Sequence, residues 1–286
     1  MSVCPLRNRE EVTTVGTPEE VKNRTATAYN AAADRYDDPA NSFWARFGRS
    51  TVERLHLARG SRVLDVCCGS GASALAAAEI VGPQGFVLGV DLAQHMLELA
   101  RRKAGERGLR NTEFRQGDML DLRLGGEPFD AVVCVFGIFF VPDMVAGVRA
   151  LWSAVRPGGK LAVTSWGPRF FEPATTAFWS AVREVRPDLY KGFTPWDRIC
   201  DPESLRALLR DGGIAHADAV AEPGTHPIAD ADAWWSAVLG SGYRGTYDQL
   251  DDAGRRHVRD ANFRFIAESG VREVEANVVY AVASKA

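Results

Sequence analysis

The chain is short of several things, and each shortage removes a class of function. It has no surplus of positive charge, with 34 lysines and arginines against 37 acidic residues and a formal charge of −3. A general nucleic-acid binder carries a clear basic excess, so no nucleic-acid partner is expected. Long apolar runs are missing. The most apolar uncharged stretch, residues 131–142, falls well short of the ~20 residues that span a bilayer. Cysteines number five, a low and odd count that argues against a disulfide framework. The first residues hold no apolar signal-peptide core, and Ser2 stands where N-myristoylation needs glycine. These features predict a cytoplasmic, reducing setting, with residues 1–16 as a mobile tail.

What is present suits a folded α/β chain. Hydrophobic residues make up 46% and charged residues 25% of 286 residues, enough apolar material for a core. Thr17-Pro18-Glu19-Glu20 reads as a helix start, with Thr17 as cap and Glu20 closing a capping box. That helix is predicted to run through Ala33. Arg62–Val66, Phe86–Val90, Glu113–Arg115, Ala131–Phe136 and Lys160–Trp166 read as strands, with helical patterns between most of them. Pro157-Gly158-Gly159 is expected to end the helix before the last of these. Alternating strands and helices predict a mostly parallel sheet built by right-handed crossovers. Residues 216–228 and 272–283 read as two late strands with a helical insertion between them.

The segment Asp65-Val66-Cys67-Cys68-Gly69-Ser70-Gly71 follows the first strand and opens a helix. Glycines there let a ligand approach the backbone, and ligands of open α/β sheets bind at the carboxyl ends of the strands. Asp91 ends the next strand, where a carboxylate can take both hydroxyls of a ribose. Gly69–Ala74 also fits the dinucleotide fingerprint, so the turn alone leaves two cofactors open. Three further features decide between them. Asp65 lies inside the strand, where a carboxylate can hold an ammonium but gains a pyrophosphate nothing. Gly117-Asp118-Met119 follows the third strand, placing an acceptor and an apolar side chain for an adenine. Phe129–Phe136 is followed, after a helix, by Arg156-Pro157-Gly158-Gly159-Lys160-Leu161.

This ordered set, over about residues 60–167, resembles the class I S-adenosylmethionine-dependent methyltransferases. The central region, with Tyr29 and Tyr36-Asp37 upstream, looks most like the ubiquinone/menaquinone C-methyltransferase branch and its small-molecule relatives. The C-terminal half departs from that branch in its larger insertion and in its ending. The resemblance implies a Rossmann-like seven-stranded, mostly parallel sheet with a reversed last strand. Around it are expected an N-terminal helical cover (17–58), a cofactor-binding core (60–167) and acceptor-side lid elements (168–200 and 229–270) within one domain, 17–286. It further implies S-adenosyl-L-methionine lying over Gly69 and Gly71, with Asp65 near the methionine end and Cys67 in the turn. Asp91 would hold the ribose, and Leu92 and Met96 would line the cleft beside Tyr36. Gly117, Asp118 and Met119 would receive the adenine, and Val135 and Phe136 would meet the amino group.

Methyl transfer from a sulfonium is an in-line displacement from an activated donor, so alignment and water exclusion suffice unless the acceptor must lose a proton. Of the histidines His56, His95, His216, His226 and His257, His226 ranks first as such a base. Phe139, Trp166, Phe170, Trp234 and Tyr243 are candidates for an acceptor pocket. The expected reaction is methylation at oxygen or carbon of a small, aromatic or polycyclic metabolite, with no metal. The alternatives are a nicotinamide-dependent oxidoreductase and a non-catalytic adenosyl-binding module. Against the first, the chain has no Tyr-x-x-x-Lys pair. No Asn-Pro-Pro-Tyr-type segment follows the fourth strand, where Phe136-Gly137-Ile138-Phe139 stands. The oligomeric state is left open.

Overall fold

The computed structural model describes residues 17–286. The expected tail at 1–16, with Ser2 and Cys4, lies outside the described residues. Helix α1 (Pro18–Tyr36) begins as its capping box dictates. The Glu20 N–H donates to the Thr17 hydroxyl, and the Thr17 N–H donates to the Glu20 carboxylate. It runs past Ala33 to Tyr36. Helix α2 (Phe43–Glu53) buries Phe43, Trp44, Phe47 and Val52 on one face.

The αβ alternation then follows. It comprises β1 (Arg62–Val66), α3 (Ala72–Val81), β2 (Phe86–Asp91), α4 (Gln94–Glu106), β3 (Thr112–Gln116), β4 (Phe129–Val135), α5 (Met144–Ala154) and β5 (Val155–Trp166). Later come α6 (Ala174–Val185), α7 (Pro202–Asp211), β6 (Asp218–Glu222), β7 (Thr225–Pro227), α8 (Ala231–Leu239), α9 (Arg244–Tyr247), α10 (Asp252–Ser269), β8 (Glu273–Glu275) and β9 (Val278–Ser284). The seven-stranded sheet has the order β3-β2-β1-β4-β5-β9-β6. All its neighbours are parallel except β9, which runs antiparallel to β5 and β6. The chain changes direction between β1 and β4, so the carboxyl ends of β1, β2 and β4 open onto a crevice. The central strands are buried on both faces, which is why Ala131–Cys134 is an unbroken apolar run.

Two expectations need correction. Pro157-Gly158-Gly159 does not end α5. The helix stops at Ala154, and β5 already begins at Val155. Val155 pairs with Phe129 and Lys160 with Ala131, so Arg156–Gly159 bulges from the ladder. Proline brings no N–H to that ladder and Gly158 takes φ +76°, as a bulge requires. The late strand at 216–228 is also not one strand. It breaks at Gly224 into β6, which joins the main sheet, and β7, which pairs with β8 as a separate ribbon. Among the cysteines, Cys67, Cys68 and Cys134 are free thiols. No described helix is long and apolar enough to cross a membrane.

The cover helices sit directly on the Rossmann-like core. Helix α2 packs on α3 and reaches β4 and β5. The hydroxyls of Thr51 and Thr164 meet inside at 2.7 Å. Helix α1 packs against α4, α8 and α9, while α10 packs on α6. Gly48 sets the approach of α2. A Cβ there would lie 2.8 Å from both the Ala72 carbonyl carbon and the Ser73 nitrogen. Backbone at a helix start cannot yield as a side-chain tip can. Gly48→Ala is therefore expected to destabilise the fold by about 1–3 kcal/mol in urea titration despite the gain in helix propensity.

Candidate functional site

The site is built on the turn that leaves β1. Three of its residues adopt left-handed backbone: Cys67 at φ +60°, Gly69 at +51° and Gly71 at +84°. The turn is closed by the Gly71 N–H to the Cys68 carbonyl at 2.8 Å. It is tied to the neighbouring strand by Asp91. One Asp91 oxygen accepts the Gly69 N–H and the other accepts the Ala93 N–H, both at 2.8 Å. Desolvation pushes the Asp91 carboxyl up, while these N–H groups and that of Leu92 pull it down. The left-handed backbone at Gly69 favours glycine there. A Cβ there would come within 3.4 Å of the Met96 methyl and 3.6 Å of the Tyr36 hydroxyl.

A cavity of about 810 Å³, counting its open mouth, lies over this turn at the ends of β1, β2 and β4. Most of the residues singled out from sequence reach it. Tyr36, Cys67 and Gly69 form one end with Asp91, Leu92 and Met96. Gly117, Asp118 and Met119 line a second side, and Val135 and Phe136 a third. Phe136 also takes a left-handed backbone, φ +54°, an outlier for an aromatic residue that turns the chain out of β4 at the cavity wall.

Two of the cofactor candidates stand behind the wall instead. Gly71 faces Ala100 and Leu75. Asp65 is 1% exposed. Its Oδ2 accepts the Ser73 hydroxyl at 2.6 Å, and its Oδ1 has no partner. Burial pushes its carboxyl up to about 7, against the Ser73 bond that lowers it, and the nearby Asp91 adds to the rise.

The histidine and aromatic candidates are not brought together over the cavity. His226 is buried on β7, its Nε2 2.7 Å from the Ala40 carbonyl and its ring edge-on to Phe43. Burial lowers its pKa. It does not line the cavity, and neither does any other histidine. Trp234 is fully buried and donates to Asn262 at 2.9 Å, which makes it core. Trp166 lies flat against Phe136, ring centres 3.8 Å apart, and so backs the wall without facing the space. Phe139 meets Phe140, which does line the cavity, and Trp196, which does not. Phe170 and Tyr243 line a separate hollow.

The cover grips the site through residues to which the sequence assigned no such role. Asp37 accepts the Ser70 hydroxyl at 2.7 Å and the Lys103 ammonium at 2.8 Å, latching the end of α1 to the glycine turn. Lys22 reaches from α1 to Asp118 at 2.8 Å. Trp44 stacks on Tyr36 at 4.7 Å, and Phe140 meets Tyr29 edge-on at 5.5 Å. Of these aromatics, Tyr29 and Tyr36 were singled out from sequence, and Trp44 and Phe140 were not. Nothing local marks Lys22, whose partner is 96 residues away. Burial holds the Tyr29 and Tyr36 hydroxyls well above the usual phenol range, so both stay protonated.

Sheet order, glycine turn and strand-end carboxylate together define a nucleoside-binding α/β domain of the methyltransferase type. Comparison with known proteins agrees. A profile of the methyltransferase domain family matches residues 63–159. The chain is 36% identical over 144 residues to aklanonic acid methyltransferase DauC of Streptomyces sp. strain C5, covering 50% of this chain and 66% of that protein. It is 31% identical over 147 residues to demethylmenaquinone methyltransferase of Listeria welshimeri, covering 51% and 62%. The chain thus spans just under two thirds of the length of these curated relatives. Among solved structures, the YcgJ protein of Bacillus subtilis shares the fold with a TM-score of 0.55 at 18% identity, over 84% of this chain and 98% of that one. Residues 63–159 carry a methyltransferase domain of the class I S-adenosylmethionine-dependent type. The comparisons lend no support to a nicotinamide oxidoreductase.

The residues present fit the family's cofactor. A carboxylate ends β2, the Gly69 cradle would be filled by a Cβ, and Asp65 keeps a buried oxygen without a partner. That carboxylate also gives stability a distinctive pH dependence. Between about pH 4 and pH 7 the folded chain holds a proton at Asp65 that the unfolded chain has released, so this group's contribution falls as pH rises and levels off above 7. Relative to wild type, Asp65→Asn is expected to gain about 2–4 kcal/mol on going from pH 4 to pH 8 in urea titrations. Parallel pH profiles for the two proteins would exclude a raised Asp65.

Proposed function

We propose that the chain transfers a methyl group from S-adenosylmethionine to oxygen or carbon of a small aromatic or polycyclic metabolite. The observation that carries the reading is the cavity over the β1 turn, walled by Asp91 and Gly69 on one side and Asp118-Met119 on another. In this reading Asp91 takes the ribose hydroxyls on lone pairs left over from its two N–H bonds. Asp118 receives the adenine amino group, sharing its carboxylate with Lys22. Asp65 supports the methionine end from behind the turn. When bound, the cofactor supplies an electrophilic methyl on a positively charged sulfur.

The protein's own part is alignment and exclusion of water. Tyr29, Trp44, Phe136 and Phe140 surround the cavity with apolar surface, where a displacement that disperses charge is favoured over its aqueous counterpart. No histidine lines the cavity and its two phenols are held protonated. That favours an acceptor that ionises easily by itself, such as a phenol, a carboxylic acid or an acidic C–H between carbonyl groups. The relatives are named for aklanonic acid and for demethylmenaquinone, and both names are compatible with acceptors of this kind. A cytoplasmic location accords with the absence of a membrane-crossing helix among the described residues.

Calorimetric titration tests the reading. S-adenosylmethionine and S-adenosylhomocysteine are expected to bind, NAD(H) is not, and Asp91→Ala should weaken the adenosyl ligands by at least tenfold, about 1.4 kcal/mol or more. Preference for NAD(H) would overturn it. Tight adenosyl binding with no methyl transfer to any phenol, acid or 1,3-dicarbonyl offered would favour a non-catalytic adenosyl-binding module.

A further inference from the structure

Helix α1 turns one face to the cofactor cavity. Lys22, Thr25, Ala26 and Tyr29 line it, at the i, i+3, i+4 and i+7 positions that share one side of a helix. Thr25 donates its hydroxyl back to the Val21 carbonyl at 3.0 Å. Lys22 is the charge that α1 brings to the cavity, and it is the one cation among the described residues that line it.

The Lys22 ammonium lies 2.8 Å from Asp118 Oδ2 and 2.9 Å from the Glu19 carboxylate. These two acids, Asp118 foremost, keep it charged. An ammonium has three N–H groups, so one is left without a partner among the described residues. Asp118 also has capacity left. Its Oδ1 accepts the Leu120 N–H at 2.9 Å and its Oδ2 the ammonium, while a carboxylate offers about four lone-pair sites. A donor and an acceptor thus stand side by side on the cavity wall, each able to make one more bond.

Stability gives little reason for this pair. The two side chains are 23% and 18% exposed, where an ion pair contributes little, and Lys22 gives up rotamer freedom to make it. Recognition gives a better one. A neutral ring packed against a lone carboxylate would leave that charge poorly hydrated, and Lys22 balances it. Acceptor beside donor is also the pattern by which an asparagine amide reads adenine. The amide oxygen takes the exocyclic amino group, and the amide N–H goes to the neighbouring ring nitrogen. Asp118 and Lys22 offer the same pattern, with charges that strengthen both bonds.

We propose that Lys22 is a specificity-determining residue for the cofactor. Its remaining N–H donates to the ring nitrogen beside the amino group that Asp118 accepts, so α1 and the wall after β3 read the nucleobase together. A carboxylate alone accepts an amino group from any ring, whereas the pair also requires an acceptor next to it. The assignment rests on the methyltransferase reading.

The probes are S-adenosylhomocysteine and its 1-deaza and 7-deaza analogues, each with one ring nitrogen beside the amino-bearing carbon or its neighbour replaced by C–H. All three are titrated calorimetrically into the full chain as wild type, K22M and K22A. Wild type is expected to bind one analogue at least about fivefold more weakly than the parent, and the analogue that loses identifies the nitrogen. In K22M and K22A the parent should weaken to near that analogue, so that the difference between the two disappears. A wild type that binds all three alike would overturn the proposal. So would a difference that persists in both variants, the outcome expected if Lys22 only ties α1 to Asp118. Failure of S-adenosylhomocysteine to bind wild type would overturn the methyltransferase reading itself, a result distinct from binding without the Lys22-dependent difference.

Discussion

Everything at the business end of this sheet is referred to one carboxylate. Asp91 stands where β2 ends, and its two oxygens accept the N–H of Gly69 from the turn after β1 and the N–H of Ala93 from the entry to α4. Three chain segments are thereby held in fixed relation at the mouth of the crevice. The left-handed conformations at Cys67, Gly69 and Gly71 persist because the turn is determined from both sides, by its own hydrogen bond and by Asp91. A carboxylate in poorly hydrated surroundings keeps its charge only while such donors serve it. The turn and the acid therefore stabilise each other, and a ligand that offers hydroxyl donors adds to an arrangement already in place.

The cover helices complete the site by the same kind of mutual support. Asp37 bridges Ser70 of the turn and Lys103 of α4, and Lys22 reaches Asp118 beyond β3. Between these polar latches the contact is aromatic, with Tyr36 stacked on Trp44 and Phe136 on Trp166. Exposed ion pairs by themselves contribute little. These two are partly buried and join elements far apart in sequence, so they orient α1 more than they stabilise it. The result is an enclosure with apolar walls and no histidine, suited to a reaction whose electrophile arrives already activated.

The aromatic richness of the second half divides into two structural roles. Trp166 and Trp234 are packing residues, one stacked behind Phe136 and the other buried and bonded to Asn262. Phe170 and Tyr243 line a separate hollow. Composition made no distinction among them, since each is a large ring in an aromatic-rich segment. The difference arises from which neighbours surround each ring after α6, α8 and α10 have packed.

The sequence by itself determined the strand and helix alternation, the glycine turn, the acid at the end of β2 and the Asp118-Met119 pair. Each is written in a few adjacent residues: apolar runs that must be buried on both faces, a capping box, glycines that must turn left-handed. It also sufficed to separate this cofactor class from the dinucleotide fingerprint, because Asp65 lies inside β1 and Gly117-Asp118-Met119 follows β3. Only the tertiary structure decided that Asp65 stands behind the cavity, that His226 is a buried partner of Ala40, and that Pro157-Gly158-Gly159 is a bulge in β5. It alone placed Lys22 against Asp118. These outcomes depend on contacts between residues tens to hundreds of positions apart. Such contacts follow from how helices and loops pack over the sheet, and no local pattern of charge, turn or periodicity encodes them.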